Sequence, residues 1–485
     1  MVAELVPIPA HPHDVLRVNR FFRFEEGGKR LLYVVGNTAF LELDEPASYL
    51  ADLIAGKDRV RRSALVDALE ARFSEAAAVE SVLAFEQLHL LEPKDRPPAS
   101  VDRAPLPMSP LASLVLHVAH DCNLRCAYCY ADFGRYGGEF GIMTEATAIA
   151  HAARFFDQLG ATRNVSVTFF GGEPLLNMPV VRAAHAYVKS RAEREGRRAS
   201  FGLTTNGTLL TDALVDWFAK ERFTITISID GPADVHDRLR PLQEGGGSYA
   251  RIMERVRATG IHAVARVTLT RKHTDVARIV RHLVQAGFRE VGMSPVATGD
   301  PRFDLQRDDL DKVLAGLRVL SDDFVAWAKE GRIFPFSNVK GLLEQIAAGE
   351  PRHQPCGAGT RLVAADNKGD LYACHRLVGE ERFKLGDVEH GIDEARRRSI
   401  LDAFQPATRE RCNACWARYL CGGGCHHIAW LHSEKKEAPW QVSASFCDFL
   451  RDWYRVGLHT YARIAEEAPA MLAHLKGERP VCGQA

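Results

Sequence analysis

Short apolar runs broken by glycine turns come first along the chain. Phe21-Phe-Arg-Phe, Arg30-Leu-Leu-Tyr-Val-Val and Thr38-Ala-Phe-Leu-Glu-Leu are separated by Glu26-Gly-Gly and Gly36-Asn, and this spacing predicts a three-stranded meander over residues 21–44. Leu and Val then recur at intervals of three and four, which predicts helices over 46–55, 62–73 and 77–90. Three strands followed by three helices outline a winged-helix (α+β) unit over residues 1–92. Six prolines in the eighteen residues from Pro93 to Pro110 predict an extended, semi-rigid linker at 93–110.

Beyond Ser113 the pattern becomes strand, loop, helix, repeated. Leu114-Val-Leu-His-Val leads into a cysteine loop, Thr144-Glu caps a helix that stops at Gly160, and Val165-Ser-Val-Thr-Phe-Phe runs into Gly171-Gly-Glu-Pro. Further buried strands are predicted at Ser200-Phe-Gly-Leu-Thr-Thr, Phe223-Thr-Ile-Thr-Ile-Ser-Ile, Ala263-Val-Ala-Arg-Val-Thr-Leu and Glu290-Val-Gly-Met-Ser. Such alternation implies right-handed βαβ units and a parallel sheet. The expected class is therefore α/β, a partial (β/α)6 TIM-like barrel over 111–335 with ligands at the carboxyl ends of its strands. In the last block, 336–485, the alternation stops from Gln354, cysteines become dense, and an amphipathic helix is predicted from Phe446 to Leu475.

Composition narrows the function classes. A chain of 485 residues should hold two to four folded units. Its 62 basic and 62 acidic residues balance, so neither nucleic acid nor an anionic membrane surface is an expected partner; a peptide or small molecule is. No apolar run reaches the length of a membrane span, and Met1-Val-Ala-Glu-Leu-Val-Pro lacks the marks of a signal peptide, so a cytoplasmic location is expected. Eleven cysteines in a reducing compartment point to metal binding rather than disulfides.

The run Cys122-Asn-Leu-Arg-Cys126-Ala-Tyr-Cys129 offers three thiolates and no fourth, which on a four-iron cube leaves one iron open to a substrate. A zinc knuckle or a set of structural thiols is the alternative, but tetrahedral zinc wants four protein ligands. The spacing resembles the signature of the radical S-adenosylmethionine (SAM) enzymes. That resemblance implies a [4Fe-4S] cluster binding SAM through its amino and carboxylate groups, and a 5′-deoxyadenosyl radical that abstracts hydrogen. It also places Tyr128 against the adenine, and Gly171, Gly172, Glu173 and Pro174 at the methionyl ammonium. Thr204-Thr-Asn206-Gly-Thr and Ser228-Ile-Asp-Gly-Pro resemble the loops beside the ribose and substrate; Ser228 is the expected ribose or carboxylate contact, and Arg266, a charge in an apolar strand, the expected partner of the SAM carboxylate. Turn or cap roles for Asn206 and Ser228, and a sheet-edge role for Arg266, are the structural alternatives.

A second set, Cys356, Cys374, Cys412, Cys415, Cys421, Cys425 and Cys447, resembles the SPASM domain with two auxiliary iron–sulfur clusters. Two zinc sites are the competing reading, since thiolates suit both metals. By the resemblance, Cys356, Cys374 and Cys425 hold the inner cluster and Cys412, Cys415, Cys421 and Cys447 the outer one, giving three [4Fe-4S] clusters in all. Relatives with two fully ligated clusters have an eighth cysteine where this chain has Arg352-His-Gln-Pro, which implies an open inner iron, or His353 on it. His375 stands where the similar sulfatase maturases carry an aspartate base. It is the candidate catalytic group for taking a proton from a substrate thiol, because imidazole titrates near neutrality. His426 and His427 are expected to be local hydrogen-bonding residues, and Cys482 to have no role.

The whole pattern resembles radical SAM/SPASM maturases of ribosomally made peptides whose amino-terminal element binds a leader as an added strand. Cys126-Ala-Tyr-Cys-Tyr-Ala-Asp, Phe170-Gly-Gly-Glu-Pro-Leu-Leu-Asn, Cys374-His-Arg-Leu-Val-Gly and Cys415-Trp-Ala-Arg-Tyr-Leu-Cys-Gly-Gly-Gly-Cys look most like thioether formers. That group includes the maturase of quinohemoprotein amine dehydrogenase and the ranthipeptide maturases. The expected function is intramolecular cross-linking of a cysteine sulfur to a side-chain carbon in a leader-bearing peptide or small subunit, with flavodoxin or ferredoxin as electron donor. Carbon–carbon (cyclophane) cross-linking, formylglycine-type oxidation, and a zinc-bearing peptide-binding scaffold are the alternatives.

Overall fold

The computed structural model describes residues 14–95, 109–433 and 440–477. Most of the Pro-rich segment expected as a linker, and Cys482, lie outside these. The amino-terminal unit contains the expected meander, β2 (Phe21–Glu26), β3 (Lys29–Val34) and β4 (Phe40–Glu42), paired antiparallel in that order. A second small sheet has β1 (Val15–Val18) between β5 (Arg59–Arg61) and β6 (Leu91–Pro93). Sequence periodicity misses these strands because three or four residues give no repeat to read. Helices Glu45–Ile54, Arg62–Glu70 and Glu75–Gln87 fall where the Leu and Val spacing places them, the first capped by Asp44 accepting from Ala47 N–H at 2.8 Å.

Six parallel strands form the partial barrel: β7 (Ser113–His120), β9 (Asn164–Gly171), β10 (Arg198–Thr205), β11 (Thr224–Ser228), β12 (Val264–Leu269) and β13 (Glu290–Pro295), with the short β8 (Gly141–Ile142) antiparallel to β7. The sheet runs β13-β12-β11-β10-β9-β7 and does not stop there. The cysteine-rich block continues it through β14 (Leu362–Ala365), parallel to β7, then β15 (Asp370–Tyr372), β16 (Lys384–Asp387) and β17 (Gly391–Ile392), all antiparallel. That block therefore shares one sheet with the barrel. The closing helix is Ala444–Glu467, separated from a short turn of helix Met471–Leu475 at Ala468-Pro469, where proline cannot continue the hydrogen-bond ladder.

The amino-terminal unit is docked on the cysteine-rich block. Phe24, Leu31 and Tyr33 from its meander bury against Tyr419, Leu420, Tyr454 and Leu458. Phe22 stacks on Trp416, centroids 4.2 Å apart and planes 6° from parallel. Arg20 donates to the carbonyls of Asn413 (2.6 Å) and Ala414 (3.0 Å), between Cys412 and Cys415. Arg455 donates to Glu25 O at 3.1 Å, and Arg318 pairs with Glu26. Helix Ala444–Glu467 thus packs on the meander, meeting β2 through Arg455 and β4 through Tyr461, whose ring lies 5.5 Å from that of Phe40, and among the described residues no strand pairs with the outer edge of β2 or of β4.

The aromatic stack should carry its own coupling. In a double-mutant cycle of Phe22→Leu and Trp416→Leu, followed by urea unfolding, an interaction energy of about 0.5–1.5 kcal/mol beyond lost area is expected; additive effects would show the stack does not hold the unit.

Candidate active site

Alternation along the barrel strands decides what the lumen is. On β9, Val165, Val167 and Phe169 join the core beneath the helices, while Ser166, Thr168 and Phe170 are half-buried on the other face. The same division separates Ile225 and Ile227 from Thr226 and Ser228 on β11, and Ala265 and Val267 from Arg266 and Thr268 on β12. An inner face of small and polar side chains leaves a lumen open, where branched apolar ones would fill it.

The loop after β7 brings Cys122, Cys126 and Cys129 into one group. Backbone N–H groups donate to two of the sulfurs, Leu124 to Cys122 Sγ (3.4 Å) and Phe133 to Cys129 Sγ (3.3 Å). The loop is bound to the segment after β11 by Arg125 N–H to Pro241 O (2.9 Å) and Ala127 N–H to Leu239 O (2.8 Å). Beneath it Tyr128 donates to Asp230 Oδ2 at 2.5 Å, and Arg240 grips the same carboxylate through Nε (2.8 Å) and Nη2 (3.3 Å). Burial would raise the Asp230 carboxyl, but Arg240 outweighs it and holds the group below the usual aspartate range. Arg240 Nη1 also stands 4.0 Å from Cys126 Sγ. Sequence reasoning missed Arg240, because a partner ten residues away across a loop leaves no periodic signal.

The Gly-Gly-Glu-Pro turn explains its own residues. A Cβ on Gly171 would stand 2.2 Å from Ala119 O, and one on Gly172 would stand 2.1 Å from Asp121 O. The glycines are thus required first by the cysteine loop itself, whose Ala119 and Asp121 carbonyls accept from Gly172 and Glu173 N–H at 2.8 Å each. Pro174 opens the 3-10 turn Pro174–Asn177. Glu173 is fully buried and accepts from Leu175 N–H (3.0 Å), Thr205 Oγ1 (2.8 Å) and Asn206 N–H (2.7 Å); burial still pushes its carboxyl up to about 7. Asn206 in turn donates to Asn123 Oδ1 (2.8 Å) and lies 3.8 Å from Cys122 Sγ, so it braces the cysteine loop.

Ser228 and Arg266 are paired neighbours across β11 and β12. Since β12 lies between two strands, the sheet-edge reading of Arg266 fails. Its guanidinium points into the lumen and donates to Ser294 Oγ at 3.0 Å. Across the lumen the His375 ring lies 5.0 Å from that of Phe170, with Nδ1 3.9 Å from Cys374 Sγ. Burial, with Arg376 and Arg266 beside it, pushes His375 down to about 3, so the expected titration near neutrality is corrected: the imidazole is neutral, and its protonated form is opposed by two guanidiniums.

The second cysteine set divides in two. Cys356, Cys374 and Cys425 lie within electrostatic reach of one another, as do Cys412, Cys415, Cys421 and Cys447, which wall a single cavity. Among the described residues no three His, Cys, Asp or Glu side chains converge as one ion would require. Grouped thiols around a space with inward N–H donors suit an iron–sulfur cluster, so the donor set fits. Burial pushes Cys122, Cys374 and Cys421 up to about 12, so metal loading must release protons. His353 packs on Tyr419 with centroids 5.4 Å apart. His426 departs from its expected hydrogen-bonding role: it is buried in a parallel stack with Phe404, 3.8 Å between centroids, and among the described residues neither ring nitrogen has a hydrogen-bond partner.

Residues 116–283 match the family model described as the radical SAM superfamily. The barrel is thus a radical SAM domain. It is similar to the serine-type anaerobic sulfatase-maturating enzyme of Klebsiella aerogenes, 26% identical over 68% of this chain and 82% of that one. It is also similar to the cysteine-type anaerobic sulfatase-maturating enzyme of Clostridium novyi, 26% identical over 66% of this chain and 88% of that one. The radical SAM fold is shared with a solved structure described as native anSMEcpe with bound AdoMet, at TM-score 0.63 and 18% identity, covering 73% of this chain and 99% of that one. The zinc-bearing scaffold reading gives way to the enzyme. No helix among the described residues is long and apolar enough to cross a membrane.

Breaking the pair beneath the radical SAM loop should be costly. Asp230→Asn leaves the Arg240 guanidinium buried without its counter-charge, and a loss of about 3–5 kcal/mol is expected in chemical denaturation; Ser228→Ala, which breaks no such pair, should change stability by less than about 1 kcal/mol.

Proposed function

We propose that this enzyme joins a cysteine sulfur to a side-chain carbon of another residue in a leader-bearing peptide or small subunit, forming an intramolecular thioether. One observation carries the reading. The inner group has three cysteines, Cys356, Cys374 and Cys425, and Cys374 adjoins the lumen through His375 and Phe170.

When bound, SAM with the cluster at Cys122, Cys126 and Cys129 supplies hydrogen abstraction, and a three-cysteine inner cluster supplies an open iron for a substrate thiolate. The chain does the rest. Tyr128, Asp230 and Arg240 fix the signature loop, Glu173 and Asn206 lock it to the end of β10, and Ser228 and Arg266 present a hydroxyl and a positive charge to a carboxylate in the lumen. His375 is kept neutral by burial and by Arg376 and Arg266, so it serves as a polar wall; the proton of a substrate thiol passes to solvent in the open lumen, and the inner cluster would take up the one electron released when the carbon radical joins sulfur. The free edge of β4 is the place for a leader strand. An acidic flavodoxin or ferredoxin would supply electrons, and three four-iron clusters would give about twelve irons per chain.

Formylglycine formation is the second reading, favoured by the sulfatase-maturating relatives. Against it stands His375 in place of the aspartate base that the sulfatase maturases are expected to carry.

Co-expression with the small open reading frames beside the gene, read by mass spectrometry, separates the two. A thioether leaves the product two hydrogens lighter per cross-link and protects the linked cysteine from alkylation. A product trapped by a hydrazide would establish the aldehyde reading. Loss of two hydrogens that survives replacement of every precursor cysteine by serine would establish carbon–carbon cross-linking.

A further inference from the structure

The cavity walled by Cys412, Cys415, Cys421 and Cys447 is also walled by arginines. Arg409 is the bulkiest of the fully buried side chains, 1% exposed, yet among the described residues it has no carboxylate partner. Its Nη1 and Nη2 donate to Gly423 O (2.8 Å) and Phe404 O (3.0 Å), and its guanidinium faces Cys412. Arg411, also without a carboxylate partner there, donates to Val442 O at 3.0 Å and faces Cys447. Arg451 faces Cys415, but its charge is shared with Asp448. Tyr454 and the Gly423 N–H face Cys421. Every thiol of the group thus meets a donor, and no acidic side chain lines the cavity.

A buried guanidinium is expensive unless a negative charge answers it, and four neutral thiols do not. Four thiolates around an iron–sulfur cube do, because the assembly carries net negative charge. Reduction adds one electron and one more negative charge, which nearby positive charge favours; net charge and hydrogen bonds to sulfur are what set such potentials. The signature group is built differently. There Arg240 is matched by Asp230, and the Glu173 carboxyl lies within electrostatic reach of Cys122.

We propose that Arg409 and Arg411 tune the outer four-cysteine site, making it more readily reduced than the SAM-binding site by supplying positive charge that its walls do not cancel. The inference rests on the three-cluster reading above. Both arginines act through the cluster and are positioning residues.

The test is an EPR-monitored redox titration of the anaerobically reconstituted full chain. The SAM-binding signal is assigned by its loss in the Cys122→Ala, Cys126→Ala, Cys129→Ala variant, and the outer signal by its loss in Cys447→Ala. In Arg409→Gln the outer signal should move to lower potential while the SAM-binding signal stays. Arg409→Lys, which keeps the charge, should restore it. Arg411→Gln, at an exposed side chain, should move it the same way by less, and it reads the effect if Arg409→Gln fails to fold. Potentials unchanged at full iron content, or an outer signal titrating below the SAM-binding one, would overturn the proposal. An iron content untouched by Cys447→Ala would overturn the three-cluster reading, and this inference with it.

Discussion

Asp230 is wholly buried at the end of β11, where a carboxylate without a partner would cost several kcal/mol. Arg240 neutralises it, Tyr128 donates to it, and the Thr268 N–H on β12 closes it at 3.0 Å. Three separate pieces of chain, the cysteine loop, the segment after β11 and the body of β12, are therefore tied to one charge. Any displacement of the loop uncovers that charge, so the three thiols of the signature are held by electrostatics as much as by packing. The same pair cancels the positive charge nearest Cys126, which sets this group of thiols apart from the outer one.

The barrel carries a second constraint. Helix-side positions of its strands are Val, Ile, Leu, Phe and Ala and bury completely, so the sheet is stable without help from its inner face. That frees the inner face to be mostly Thr, Ser and Gly, with Phe170 and Arg266 among them, a surface poor at filling space. Gly171 and Gly172 show the same economy, since they serve contact between two loops before they serve any ligand.

Long periodic elements were legible in the sequence. The meander, the helices of the first unit and the six parallel strands announce themselves by spacing, whereas the division of the cysteines into three groups came from the resemblance to the SPASM domain and matches the grouping of the thiols in space. What was not legible depends on distance in space. Arg20 against the Asn413 and Ala414 carbonyls, Phe22 on Trp416, and β14 beside β7 join residues hundreds of positions apart, and nothing local encodes them. His375 shows the limit most clearly: its residue type promised titration near neutrality, and burial, with Arg376 and Arg266 beside it, removed it. His426 does likewise, reading as a hydrogen-bonding residue and sitting in an aromatic stack.

These long-range contacts bear on how binding at one end could reach chemistry at the other. The amino-terminal sheet has its own helices on one face and the cysteine-rich block on the other, with Trp416 between Cys415 and Ala417 as the shared surface. Removing the unit would bare Tyr33's partners Tyr419, Leu420 and Tyr454, and Tyr454 faces Cys421. A truncation therefore perturbs the outer thiols whether or not a leader is involved. The amino-terminal unit and the outer thiols are best treated as one mechanical body, in which β4 is one of the edge strands that no described strand covers. A strand paired to β4 would extend the same sheet whose one face rests on the outer cysteine loop, so the path from that edge to the outer thiols is a few residues of packed aromatic surface.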